Sequence, residues 1–291
     1  MQTSKVRVPT VAGQFYENNP NKLISTINKF TRDFDSDIII PPNSEIFSLI
    51  VPHAGYVFSG KTAATAMSLA KNKKYKQIVL IAPTHNVSFT GIALSSYDSY
   101  NTPIGNISVA KNLIENLTKK KWFKINNRVH DNEHSLEVQL PLIKHYFPDT
   151  PILPLICGNI DTTIAKEIAE TLQPLWNNET LWIVSSDFTH YGQQFNYLPF
   201  KKDIPENLKK LDGGAIEKIL NIDSAKFIDY VSRTGATICG RNPINIMLNV
   251  AESYKNKSHS LQTKLIDYTT SGELTGDFRH CVSYAGIIFY G

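Results

Sequence analysis

The chain has 291 residues, 42% of them hydrophobic and 10% aromatic, which is enough apolar material for a substantial core and too much for a disordered polypeptide. Its net charge of +4 comes largely from lysines, partly in Lys71-Asn72-Lys73-Lys74 and Lys119-Lys120-Lys121, each placed to complement the dipole at the end of an expected helix; no aromatic-interleaved basic stretch points to nucleic acid. No apolar run approaches the ~20 residues that cross a bilayer, Met1 to Val6 holds no signal-peptide core, and Cys157, Cys239 and Cys281 are too few and odd in number for a disulfide scaffold, so a cytoplasmic protein with free thiols and no membrane partner is expected.

In chain order, residues 6–17 read as extended and then turning. A helix starts at Pro20 with Leu23, Ile24, Ile27 and Phe30 on one face, and a polar connection runs through Pro41-Pro42. The apolar run 49–51 is a buried strand that ends in Pro52-His53. A Gly-aromatic turn carries it into a helix from Gly60, with Ser59 as the expected N-cap. Residues 77–83 form a second buried strand with Thr84-His85-Asn86 at its exit, followed by a strand at 92–97 and a helix at 109–119. A helix from Ser135 to about Phe147 contains Pro141 as a kink or break.

Strands at 151–157 and 180–186 flank a helix at 162–175, and the second of these strands exits through Asp187-Phe188-Thr189-His190-Tyr191-Gly192. Helices at 207–220 and 223–232 lead to the loop 234–243, which enters a helix ending near Tyr254; strands at 261–269 and 281–290 close the chain. Alternating strands and helices without a linker-like stretch predict one domain over 1–291, a three-layer α/β/α fold on a mixed, largely parallel sheet.

Three apolar runs thus deliver His53, His85 and His190 at strand exits, the edge where open α/β sheets bind ligands. Neutral imidazoles suit borderline transition metals, and two of them with one anionic ligand leave positions open for substrate or oxygen. The candidate anions are Asp187, Cys239 and the less favourably placed Glu133; Cys239 stands just ahead of a helix N-terminus, where the dipole favours thiolate. Tyr56, Phe58 and Tyr191 are candidates to line a pocket. Arg241 is placed to bind an anionic ligand beside the same helix start, or to form a surface ion pair. Cys157 and Cys281 read as core residues; His130, His145, His259 and His280 read as surface or packing residues.

Val-Ala-Gly-Gln-Phe-Tyr (11–16), Pro-His-Ala-Gly-Tyr-Val-Phe-Ser-Gly (52–60), Ala-Pro-Thr-His (82–85), Glu-His-Ser-Leu-Glu-Val-Gln-Leu-Pro (133–141), Ser-Ser-Asp-Phe-Thr-His-Tyr-Gly (185–192), Thr-Ile-Cys-Gly-Arg (237–241) and Tyr-Ala-Gly-Ile-Ile-Phe (284–289) resemble, in order, the signatures of the Memo family, known in bacteria and archaea as AmmeMemoRadiSam system protein B. The resemblance implies a fold similar to the LigB-like class III extradiol dioxygenases. It implies His53, His85 and Cys239 as metal ligands, Asp187 and His190 as polar residues beside the metal with His190 as acid/base, and His134 at or near the pocket. Cys239 stands where the dioxygenases complete a two-histidine, one-carboxylate triad, and a thiolate shifts preference toward copper(I), zinc or a different iron chemistry.

The expectation is therefore a mononuclear site for iron or copper, or else zinc, serving a metal-dependent oxidoreductase. The alternative is a non-catalytic adaptor that uses the same cleft for a small molecule, peptide or protein partner. The resemblance also implies AMMECR1-like and radical-SAM proteins of the same system as partners.

Overall fold

The computed structural model describes residues 4–32, 40–41, 43–257 and 259–291. In chain order the elements are β1 (Val6–Arg7), α1 (Pro20–Arg32), β2 (Ile46–Val51), a π-helical turn (Tyr56–Gly60), α2 (Lys61–Ala70), β3 (Gln77–Pro83), β4 (Ile92–Leu94), β5 (Ser99–Thr102), β6 (Gly105–Ser108), α3 (Lys111–Leu117) and β7 (Phe123–Ile125). There follow α4 (Asn127–Asp131), α5 (His134–Glu137), α6 (Leu140–Tyr146), β8 (Ile152–Cys157), α7 (Thr162–Leu172), β9 (Thr180–Ser185), β10 (His190–Gly192), α8 (Ile204–Leu220), α9 (Ser224–Thr234), α10 (Arg241–Lys255), β11 (Gln262–Thr270), α11 (Ser271–Thr275) and β12 (His280–Tyr290).

Among the described residues, nine strands form one mixed sheet in the order β10-β12-β2-β9-β3-β8-β4-β7, with β11 pairing the long β12. The centre, β2-β9-β3-β8, is parallel. Residues on β2, β8 and β9 are buried without alternation, as are all but the first on β3. Such runs occur where helices cover both faces of a sheet, so the layered α/β/α reading holds. α2 packs on β2, β11 and β12, while α10 packs on β3 and β9 and against α7 and α9. No described helix is long and apolar enough to cross a membrane.

The parallel register brings the strand exits together. Val51 pairs with Ser185 and Pro83 with Cys157, so the segments after β2, β9 and β3 leave the sheet along one edge.

Several local expectations change. Ser59 does not cap a helix: the π-helical turn continues into α2 through Gly60, and the Ser59 hydroxyl donates to the Ala54 carbonyl at 3.0 Å. The single helix expected from Ser135 to Phe147 is two, α5 and α6, and Pro141 lies in the first turn of α6, where its missing N–H costs nothing. The 92–97 strand is only β4, and the 109–119 helix only α3. A small second sheet, β1-β5-β6, was not anticipated. The expected connection through Pro41-Pro42 lies in part outside the described residues.

Candidate metal centre

His53 follows β2 and is 1% exposed. Its Nδ1 lies 2.9 Å from Ser185 Oγ, its Nε2 3.2 Å from Cys239 Sγ, and its backbone N–H donates to Asp187 Oδ1 at 2.7 Å. Burial first, then the neighbouring His85, His134 and His190, pushes its pKa well below the usual imidazole value, so the ring is neutral, the form that binds metal.

His85 follows β3 and is held twice by one carboxylate. Its backbone N–H donates to Glu133 Oε2 at 2.6 Å, and its Nδ1 lies 2.8 Å from Glu133 Oε1. Burial acts to raise the Glu133 carboxyl, but hydrogen bonding and charge from His85, with the Ser135 N–H, outweigh it and hold the group below its ordinary range. Glu133 is 1% exposed and also caps α5 through the Ser135 N–H. A carboxylate on Nδ1 places the proton there and frees Nε2 for the site.

Cys239 is half-buried, and its Sγ accepts the Asp187 backbone N–H at 3.2 Å. The expected dipole-favoured thiolate is not what the surroundings produce. Burial, then the Asp187 charge, pushes the thiol well above its ordinary value. The ligand atoms of His53, His85 and Cys239 all lie within 4.8 Å of one another. Two ring nitrogens with fixed outer partners and one sulfur on so small a triangle fit a single transition ion, which would have to displace the thiol proton.

His134, the first residue of α5, joins the cluster: its ring centroid is 4.6 Å from that of His85 and 5.6 Å from that of His53, with Phe15 against it at 5.1 Å. Burial, then His85, lowers its pKa. Asp187, one of the candidate anions, accepts the His53 backbone N–H, and burial raises its carboxyl. His190 Nδ1 is 3.0 Å from the Thr237 carbonyl, which can only accept, so the proton sits on Nδ1.

The remaining candidates separate. Arg241 is exposed and lines a cavity of about 410 Å³ together with Thr84, Asn159, Cys239 and Asn242; among the described residues it forms no ion pair. Tyr56 is buried, donates to the Val138 carbonyl at 3.0 Å and lines a different cavity of about 540 Å³ with Phe15, Tyr16, Phe30 and Lys61. Tyr191 stacks on Phe200 at 5.1 Å, donates to the Phe200 carbonyl at 2.7 Å and packs with Leu208 and Cys281. Cys157 and Cys281 are buried in strands, and His130 is packed in the core. Ser185 and Gln139 were not singled out in the sequence, although both sit in the quoted motifs; for Ser185 the signal was a polar residue closing an apolar strand.

Compared with known proteins, residues 7–288 match the family described as Memo-like protein. The MEMO1 family protein TV1383 of Thermoplasma volcanium is 30% identical over 285 residues, covering 97% of this chain and 98% of its own length. The protein memo-1 homolog of Caenorhabditis elegans is 31% identical over 291 residues, covering 96% of this chain and 81% of its own. Among solved structures, the uncharacterized protein JW3007 from Escherichia coli K12 superposes with a TM-score of 0.48 at 12% identity, covering 83% of this chain and 98% of that one.

Proposed function

The chain belongs to the Memo-like family, and we propose that in this member His53, His85 and Cys239 hold one iron or copper ion in a cleft that oxidises a small molecule. The observation that carries the reading is the cluster of their three ligand atoms within 4.8 Å, with the outer nitrogen of each ring already engaged by Ser185 or Glu133. Two imidazoles and a thiolate favour a first-row transition ion over calcium or magnesium, which prefer oxygen. The bound ion would supply a Lewis-acidic centre able to exchange electrons.

The chain's own groups divide the remaining work. With Nδ1–H committed to the Thr237 carbonyl, His190 Nε2 is free to take a proton from a substrate and return it. Asp187 fixes the segment carrying His53 and, through its backbone N–H, steadies the Cys239 sulfur. The polar cavity beside Cys239 admits substrate past Thr84, Asn242 and Arg241, the last supplying a positive charge for an anionic group. Phe15 closes the side of the cluster next to His134. AMMECR1-like and radical-SAM proteins are the partners proposed to share this chemistry.

The test is elemental analysis of protein purified without chelator. Close to one iron or copper per chain is expected, lost in Cys239→Ala while circular dichroism stays unchanged. Full occupancy in that variant overturns the ligand set, and zinc in place of iron or copper ends the redox reading.

A further inference from the structure

We propose that Ser185 and Gln139 are positioning residues that lock His53 in its Nδ1–H tautomer, turning the bare Nε2 toward Cys239 before any metal arrives. The tautomer stands on hydrogen bonding alone; its consequence for metal affinity rests on the function proposed above.

Each donor and acceptor can be followed. A serine hydroxyl has one proton and two lone pairs. The Ser185 proton goes to the Ser135 carbonyl at 2.7 Å, because a carbonyl only accepts. One lone pair takes an N–H from Gln139 Nε2 at 2.9 Å. The amide cannot be the other way round: the same Nε2 faces the Pro52 carbonyl at 2.8 Å, so an oxygen there would meet an acceptor. The remaining lone pair faces His53 Nδ1 at 2.9 Å, and that nitrogen must therefore carry hydrogen.

Two further observations agree. Gln139 is fully buried, and its Oε1 has no hydrogen-bond partner among the described residues, so the amide is held in place by what its nitrogen does. At the other edge of the ring, Nε2 lies 3.2 Å from the Cys239 sulfur, and a bare Nε2 can accept the thiol proton, whose other acceptor is the Asp187 carbonyl at 3.5 Å. Turning the Ser185 proton toward Nδ1 would strip the buried Ser135 carbonyl of this donor. The two ligand imidazoles are thus fixed by different means, His85 by a carboxylate and His53 by a neutral hydroxyl whose own orientation is set one residue further out.

The experiment is long-range ¹H–¹⁵N spectroscopy of the histidine rings in the full chain stripped of metal, with His53 assigned by its absence from a His53→Ala spectrum. Wild type is expected to show His53 as the Nδ1–H tautomer. Ser185→Ala should release it toward Nε2–H and weaken iron or copper binding about 10–100-fold, whereas Ser185→Thr, which keeps the hydroxyl, should retain both properties. An Nε2–H ring in wild type, or a tautomer unmoved by Ser185→Ala, overturns the proposal. Should Ser185→Ala not fold, the wild-type spectrum alone decides. A wild-type chain that shows Nδ1–H and binds neither metal ends the metal reading and leaves the tautomer lock standing.

Discussion

Cys239 and Glu133 show what a linear sequence reveals about a site and what it hides. Strand exits made His53 and His85 legible as candidate site residues, because an apolar run that stops at a histidine places it on the sheet edge. Glu133 was undervalued because its loop position gave no sign that it would be buried to 1% exposure against His85. Its role can be measured: Glu133→Gln should keep the cap on α5 but weaken metal binding about 10–100-fold in a competition titration, since an amide oxygen supports the ring less strongly than a carboxylate. The thiol makes a second prediction. Because burial and Asp187 hold Cys239 protonated near neutrality, metal uptake should release about one proton per ion, seen as a buffer-dependent heat in calorimetry; affinity should rise with pH. Tyr191 has a simple geometric explanation. It follows His190 on β10, and successive strand residues point to opposite faces, so with His190 turned to Thr237 at the site the tyrosine turns away.

Among the elements, the apolar runs that became β3, β8 and β9 could be read directly, because strands buried on both faces have no polar alternation to confuse them. The break between α5 and α6 could not: residues 135–147 keep a helical spacing of apolar side chains through it. Nor could the anchoring of the N-terminal segment, where Glu137 on α5 pairs with Arg7 and accepts from Thr10, Val11 and Tyr16. That carboxylate ties the segment bearing Phe15 to the helix bearing His134, a long-range contact with no local signature. Both partners are buried, so Arg7→Met should cost about 3–5 kcal/mol in urea unfolding by leaving Glu137 an unpaired buried charge. The Cys239 segment is seated just as closely. A Cβ on Gly240 would lie 2.3 Å from Ser186 Cβ and 2.8 Å from the Ser185 carbonyl, so Gly240→Ala should lower the melting midpoint, cost about 1–3 kcal/mol and reduce metal occupancy together.

At the scale of the whole molecule, the layered fold was legible from the alternation of elements, and the meeting of the three exits from the general geometry of parallel sheets; the mixed outer strands and the small second sheet depend on pairings that no local pattern encodes. Stability should carry the imprint of a buried histidine remote from β2. His130 is fully buried between the Tyr100 hydroxyl and the Ala93 carbonyl, and burial lowers its pKa from 6.5 to about 4. Its folded pKa lies below its unfolded one, so the stabilisation is complete above pH 6.5 and is lost as pH falls toward 4, where the unfolded chain takes up a proton the folded one refuses. His130 should contribute about 3 kcal/mol to the loss in unfolding curves collected across that window, and His130→Gln should remove that share. The proposed site requires distant exits to present two imidazoles and one sulfur to a single ion. X-ray absorption at the metal edge of loaded protein tests this most directly: a sulfur scatterer beside imidazole nitrogens is predicted in wild type and its disappearance in Cys239→Ala, whereas a wild-type shell of nitrogen and oxygen alone would contradict it.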